Sequence, residues 1–87
     1  MKTYKLTVAT PDGNMFDDEV VMLTVRGVAG ELAVMAGHVP FVTSVKSAPC
    51  KVWIDEDTAK EATLDGGLLT VDKSGATLIA GSFKFKD

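Results

Sequence analysis

Turn-forming clusters cut this chain into pieces too short for a stable helix. Thr10-Pro11-Asp12-Gly13, Gly27 with Gly30, Gly37-His38-Val39-Pro40, Asp55-Glu56-Asp57, Asp65-Gly66-Gly67 and Asp72-Lys73-Ser74-Gly75 follow one another along only 87 residues. Proline fixes φ and removes a ladder donor, glycine reaches conformations closed to other residues, and aspartate or serine side chains close local turns. The pieces between these clusters are expected to be strands, because isolated helices shorter than about 12 residues are marginal in water.

The apolar pattern agrees. Tyr4, Leu6 and Val8 alternate with Lys5 and Thr7 over residues 3–9, the period of two that marks a half-buried strand. Residues 20–26 are apolar on both faces, as an inner strand would be. Shorter β-rich runs follow at 31–35, 41–45, 50–54, 58–64, 68–71 and 76–80, and Phe83 and Phe85 alternate with Lys84 and Lys86. Ala59, Lys60, Glu61 and Ala62 give residues 56–64 a competing helical tendency, weakened by short length and β-branched neighbours. The expectation is about eight to ten short strands in a single all-β domain over residues 1–87, a compact β-sandwich or flattened barrel. No repeat or linker divides it.

Nine basic against twelve acidic side chains give a formal charge of −3, which leaves no cation excess for a phosphate backbone and excludes nucleic acid as an expected partner. Cys50 has no second cysteine to pair with, the opening residues lack the apolar run of a secretory signal, and no stretch approaches the length of a membrane span. A reducing compartment is expected, with any membrane association made through partner proteins rather than by direct insertion.

Chemistry-bearing motifs are sparse. There is no phosphate-binding glycine loop, dinucleotide fingerprint or calcium loop, and one histidine with one cysteine are too few for the soft-ligand cluster of a structural zinc site, with a metal site shared at a subunit interface as the alternative. No catalytic residue, metal or cofactor is expected. A Cys50–His38 nucleophile–base pair is an alternative that lacks an evident orienting group; the plainer reading of Cys50 is a small strand residue. Asp17, Asp18, Glu19, Asp55, Glu56 and Asp57 lie near turns and read as solvated surface. Trp53 reads as core or partial core, with a stacking platform or a partner-binding residue as the alternatives. Met15, Met22 and Met35 read as adaptable packing. Phe83 and Phe85 read as packing back onto the sandwich, with docking of another chain as the alternative. Residues 30–38 are different: Glu31 and His38, bracketed by Gly30 and Gly37, are candidates for polar contact with a partner from a rigid turn surface.

In these turns the sequence resembles the N-terminal domain of the F-type ATP synthase epsilon subunit, called delta in mitochondria. The matching pieces are Thr10-Pro11-Asp12-Gly13 with Phe16 and Glu19-Val20, then Gly30-Glu31, then Gly37-His38-Val39-Pro40-Phe41-Val42-Thr43, then Gly66-Gly67-Leu68-Leu69 before Val71. They occur in family order over nearly the whole chain. The resemblance implies a ten-stranded β-sandwich of two five-stranded sheets. It also implies a noncatalytic central-stalk rotor subunit that links the gamma subunit to the membrane c-ring, coupling proton or sodium translocation to ATP synthesis. The site it implies is a c-ring and gamma interface of Gly30, Glu31, Gly37, His38 and Pro40, with Pro11, Gly13, Gly66 and Gly67 forming structural turns. Glu31 would face the c-ring, and His38 the gamma–ring junction. The implied location is peripheral, on the F1-facing side of an energy-transducing membrane, cytoplasmic in bacteria. The residues as given include no C-terminal helical hairpin, so the ATP binding and inhibition associated with that hairpin are not expected of them. The competing readings are a stand-alone β-sandwich adaptor or carbohydrate-binding module, and a small hydrolase using Cys50 and His38.

Overall fold

The computed structural model describes residues 2–37 and 39–86. Among them are eight strands and no helix: β1 (Tyr4–Thr10), β2 (Gly13–Val20), β3 (Met22–Gly27), β4 (Gly30–Met35), β5 (Phe41–Val45), β6 (Ala48–Trp53), β7 (Ala59–Asp72) and β8 (Gly75–Phe85). The all-β expectation holds. The competing helix at 56–64 does not form. Instead Asp55-Glu56-Asp57 caps the β6–β7 hairpin, with the Asp57 N–H donating to Asp55 Oδ1 at 2.9 Å and the Ile54 N–H to the Thr58 carbonyl at 3.0 Å.

The expected ten separate strands are replaced by these eight, for a specific reason. Gly66-Gly67 is not a turn: it lies inside the 14-residue β7, and Gly81 lies inside the 11-residue β8. The first half of β7 pairs with β6 and the second half with β5, while β8 pairs with β7 along its length and with β1, in parallel, through residues 75–79. Both strands change phase at their glycines. Leu64 and Leu69 both point inward although an odd number of positions separates them, and so do Ala80 and Phe83. On one flat strand such pairs would face opposite sides. Each long strand therefore passes from one layer of a β-sandwich into the facing layer.

The crossing demands glycine. A Cβ on Gly67 would sit 1.7 Å from the Ile79 carbonyl oxygen, and one on Gly66 would sit 2.9 Å from the Val45 carbonyl oxygen. The other expected turn stands: Pro11-Asp12 closes the β1–β2 hairpin, Gly13 follows at φ 119°, and the Asp12 N–H donates to Thr10 Oγ1 at 3.1 Å. Strand β2 itself is an addition to the expected set. It is an edge strand carrying Asp17, Asp18 and Glu19, with a one-residue bulge at Met15 between the Val8↔Phe16 and Ala9↔Asn14 pairs. These acids are exposed as expected, but on a strand edge instead of beside turns. Lys5 holds Asp17 at 3.1 Å, and the Thr3 hydroxyl donates to Glu19 Oε1 at 2.7 Å. Charge along such an edge discourages pairing with another chain.

The core lies between the layers and is aliphatic. Leu6, Val8, Val20, Leu23, Val52, Leu69 and Leu78 are fully buried, and no charged or polar residue is buried with them among the described residues. Tyr4 of β1 reaches across to the other layer, where its hydroxyl donates to the Val34 carbonyl of β4 at 2.8 Å. Burial pushes that phenol well above its usual range, with the Leu23 N–H acting weakly in the opposite direction. Tyr4→Phe keeps the ring and loses the bond, at about 1 kcal/mol. For a domain of this size, thermal unfolding followed by circular dichroism should show Tm falling by about 5 °C.

Candidate functional site

Strand β4 positions the implied interface residues, and it does not bring them together. The β3–β4 hairpin turns through Val28-Ala29, Gly30 takes φ 129°, and Glu31 is exposed opposite Arg26 on β3. Gly37, at φ 88°, and the exposed Pro40 lie beyond the other end of β4, and Val39 between them is 74% exposed. An extended strand rises about 3.4 Å per residue, so residues 31 and 35 alone are about 14 Å apart. Glu31 and the pair Gly37 and Pro40 therefore lie at opposite ends of one edge strand. His38 lies outside the described residues. The cleft beside Pro40 is lined by Tyr4, Val34, Val39, Val71, Asp72 and Lys73.

A second surface was not among the sequence-derived candidates. Val42, Leu68 and Ile79 are 61%, 41% and 52% exposed. Leu68 pairs with Ile79, and Ile79 with Ala9, so these residues form an apolar row across β7, β8 and β1, with Val42 beside it on β5 opposite Thr70. Ala9, Pro11, Gly66 and Gly67 line a shallow depression with Leu68 and Ile79. The signal was present in the adjacent apolar pairs Phe41-Val42, Leu68-Leu69 and Leu78-Ile79. Neighbours on a strand point to opposite faces, so each pair places one apolar side chain outside the core.

The remaining candidates sort by burial. Cys50 is buried in the core cluster, and desolvation pushes its thiol up to about 11. At neutral pH roughly one molecule in ten thousand carries the thiolate, too little for an activated nucleophile. The folded thiol also keeps its proton to higher pH than an unfolded one, so stability should fall as pH rises from about 9 to 11. Cys50→Val should remove part of that alkaline loss, measured as Tm against pH. Phe83 is buried and Phe85 half-buried; the Phe85 ring stands edge-on at centroid distances of 5.0 Å from Phe83 and 5.8 Å from Phe16, so they do pack back onto the sandwich. Met15 and Met35 are 36% and 46% exposed, against the expectation of packing, because one sits on the bulge and the other on the β4 edge. Trp53 is half-buried on β6. No three or more acidic, histidine or cysteine side chains among the described residues are arranged to hold a metal ion.

Residues 3–86 match the family described as ATP synthase, Delta/Epsilon chain, beta-sandwich domain. The chain belongs to this family. It is 36% identical over 80 residues to the ATP synthase epsilon chain of Bacillus licheniformis, covering 92% of this chain and 60% of that one. It is 34% identical over 71 residues to the sodium ion specific ATP synthase epsilon chain of Acetobacterium woodii, covering 82% and 53%. The chain thus spans about three fifths or less of the length of these relatives. In fold it resembles a chain of the Euglena gracilis mitochondrial ATP synthase, with a TM-score of 0.88 at 21% identity over 95% of this chain and 53% of that chain. A chain of the Tetrahymena thermophila mitochondrial ATP synthase central stalk and c-ring gives a TM-score of 0.78 at 11% identity, over 94% and 66%.

Proposed function

We propose that this chain is a noncatalytic central-stalk rotor subunit of an F-type ATP synthase. It would link the gamma subunit to the c-ring and so couple proton or sodium translocation to ATP synthesis. Family membership supports the reading, and the observation that carries it is the exposed apolar row through Leu68 and Ile79, with Val42 beside it, on one outer face of the sandwich. A row of this kind on a rigid sheet fits a permanent protein interface and needs no nucleophile or metal. We assign it to gamma. Glu31, at the far end of the edge strand, is assigned to the polar loops of the c-ring, with Gly30 giving the backbone close access. The Gly37–Pro40 turn, including His38, is assigned to the junction of the two. In this reading the halves of β7 and β8 count as separate strands, giving five strands to each layer. The protein would lie peripherally on the F1-facing side of the membrane, which is the cytoplasmic side in bacteria.

The test is capture of partners from gently solubilised membranes of the source organism by the tagged chain, read by mass spectrometry. Recovery of gamma and c subunits is expected, with c-subunit recovery reduced by Glu31→Ala combined with His38→Ala. Recovery of neither by the unsubstituted chain, from an extract holding intact synthase, would refute the assignment.

A further inference from the structure

The path of paired strands ends at β2 on one side and at β4 on the other, and the two ends are built differently. Strand β2 carries Asp17, Asp18 and Glu19 and a bulge, devices that keep another strand from adding to an edge. Strand β4 has Glu31 at its start and nothing more. Residues 32–35, Leu-Ala-Val-Met, hold no charge and no proline, and the register with β3 runs unbroken from Gly30 to Met35. No described strand pairs with the outer edge of β4. Such an edge is a template for another strand. Two apolar side chains with no role in the core flank it: Val28 at the β3–β4 hairpin tip is 65% exposed, and Val39 beyond the other end is 74% exposed.

The strand is complementary to itself. Leu32 and Val34 must face the core in both copies, which limits the centre of an antiparallel pair to a residue position. Centred on Glu31, the two carboxylates would stand directly opposite and repel. Centred on Leu32, they would stand two residues apart along the strands, about 7 Å, inside the screening length of about 8 Å at physiological salt. Centred on Val34, only the stretch from Ala33 to Met35 would pair. Centred on Ala33, the carboxylates stand four residues apart, about 14 Å, and are screened. In that register the small Ala33 meets Ala33, Leu32 meets Val34 on the core side, and the methylene stem of Glu31 lies along Met35. Val28 at each hairpin tip comes beside the turn that bears Val39 of the second copy.

We propose that β4 is a self-association edge: two copies of this chain pair through antiparallel β4 strands centred on Ala33, joining the layers that contain β4 into one sheet. Each copy covers the edge of the other, so the association closes at two. The proposal goes beyond the rotor reading, and it makes the dimer and the c-ring contact assigned to Glu31 mutually exclusive, because both use the same strand. Sedimentation equilibrium of the full chain up to about 1 mM should show twice the chain mass. Ala33 is exposed, so a charge there leaves the core alone. Ala33→Lys and Ala33→Glu each place like charges face to face on the two-fold axis and should weaken the dimer by about tenfold or more. An equimolar mixture of the two variants should restore it as a heterodimer, since the same register then opposes lysine to glutamate. Circular dichroism melting shows that each variant folds. A chain that stays monomeric at about 1 mM would overturn the proposal. So would Ala33→Lys dimerising like the unsubstituted chain, or a mixture that associates no better than its components. A dimer lost on Ile79→Asp and kept on Ala33→Lys would place the contact on the apolar row and overturn it as well.

Discussion

Gly67→Ala should lower the thermal midpoint by about 15 °C, the equivalent of about 3 kcal/mol for a domain of this size. The new Cβ would lie 1.7 Å from the Ile79 carbonyl oxygen and 2.8 Å from both the Ile79 carbonyl carbon and the Ala80 Cα. All three are backbone atoms, so no side chain can swing aside to make room. Relief requires β7 and β8 to part where Gly67 pairs with Ala80 on one side and Val45 on the other. That opens the strand crossing on which both layers depend. Total stability scales to roughly 4–13 kcal/mol for this length, so the loss is a large fraction of the whole. Gly13→Ala is the control. Its φ of 119° disfavours alanine, but no atom lies within 4 Å of the added Cβ. An equal or larger loss at Gly13, measured by circular dichroism melting, would refute the steric account.

The second large effect is on association and should leave stability nearly untouched. Ile79→Asp puts a charge in the middle of the exposed apolar row, where the side chain is already 52% accessible and the core is not disturbed. Against a purified gamma subunit from the same organism, affinity should fall by about 30-fold or more, the size of a central contact residue. The melting curve should match that of the unsubstituted chain. Thr63→Asp, exposed on the half of β7 that pairs with β6, should bind normally. Undiminished binding by Ile79→Asp would remove this face from consideration as the gamma surface.

The fold class was legible because turn clusters and period-two alternation are local signals, and both survived in β1, β3, β4, β5 and β6 with boundary changes of a residue or two. What was not legible depends on contacts distant in sequence. Asp65-Gly66-Gly67 has the same local chemistry whether the chain reverses or two backbones press together, and only the approach of Ile79 distinguishes them. Strand β2 was passed over because Asp17-Asp18-Glu19 reads as loop, whereas an edge strand tolerates acids on its open side. Glu31 and Pro40 are close in sequence and looked like one site, but residues 31–35 are extended, and that extension separates Glu31 from the far end of β4. Membership of the family was readable from ordered motifs. The apolar row was readable only in part, since adjacent apolar residues announce two apolar faces without saying which is covered.

The passage of β7 and β8 through both layers has a mechanical consequence. In a sandwich whose sheets are joined only by loops, a shear force between the sheets is resisted by side-chain interdigitation, and the sheets are able to slip. Here two continuous backbones are shared, hydrogen-bonded to each other on both sides of the crossing at Gly66 and Gly81. A sideways load on Ile79 in one layer reaches Phe83 in the other through four covalent peptide links. The two faces of this small body move together or not at all.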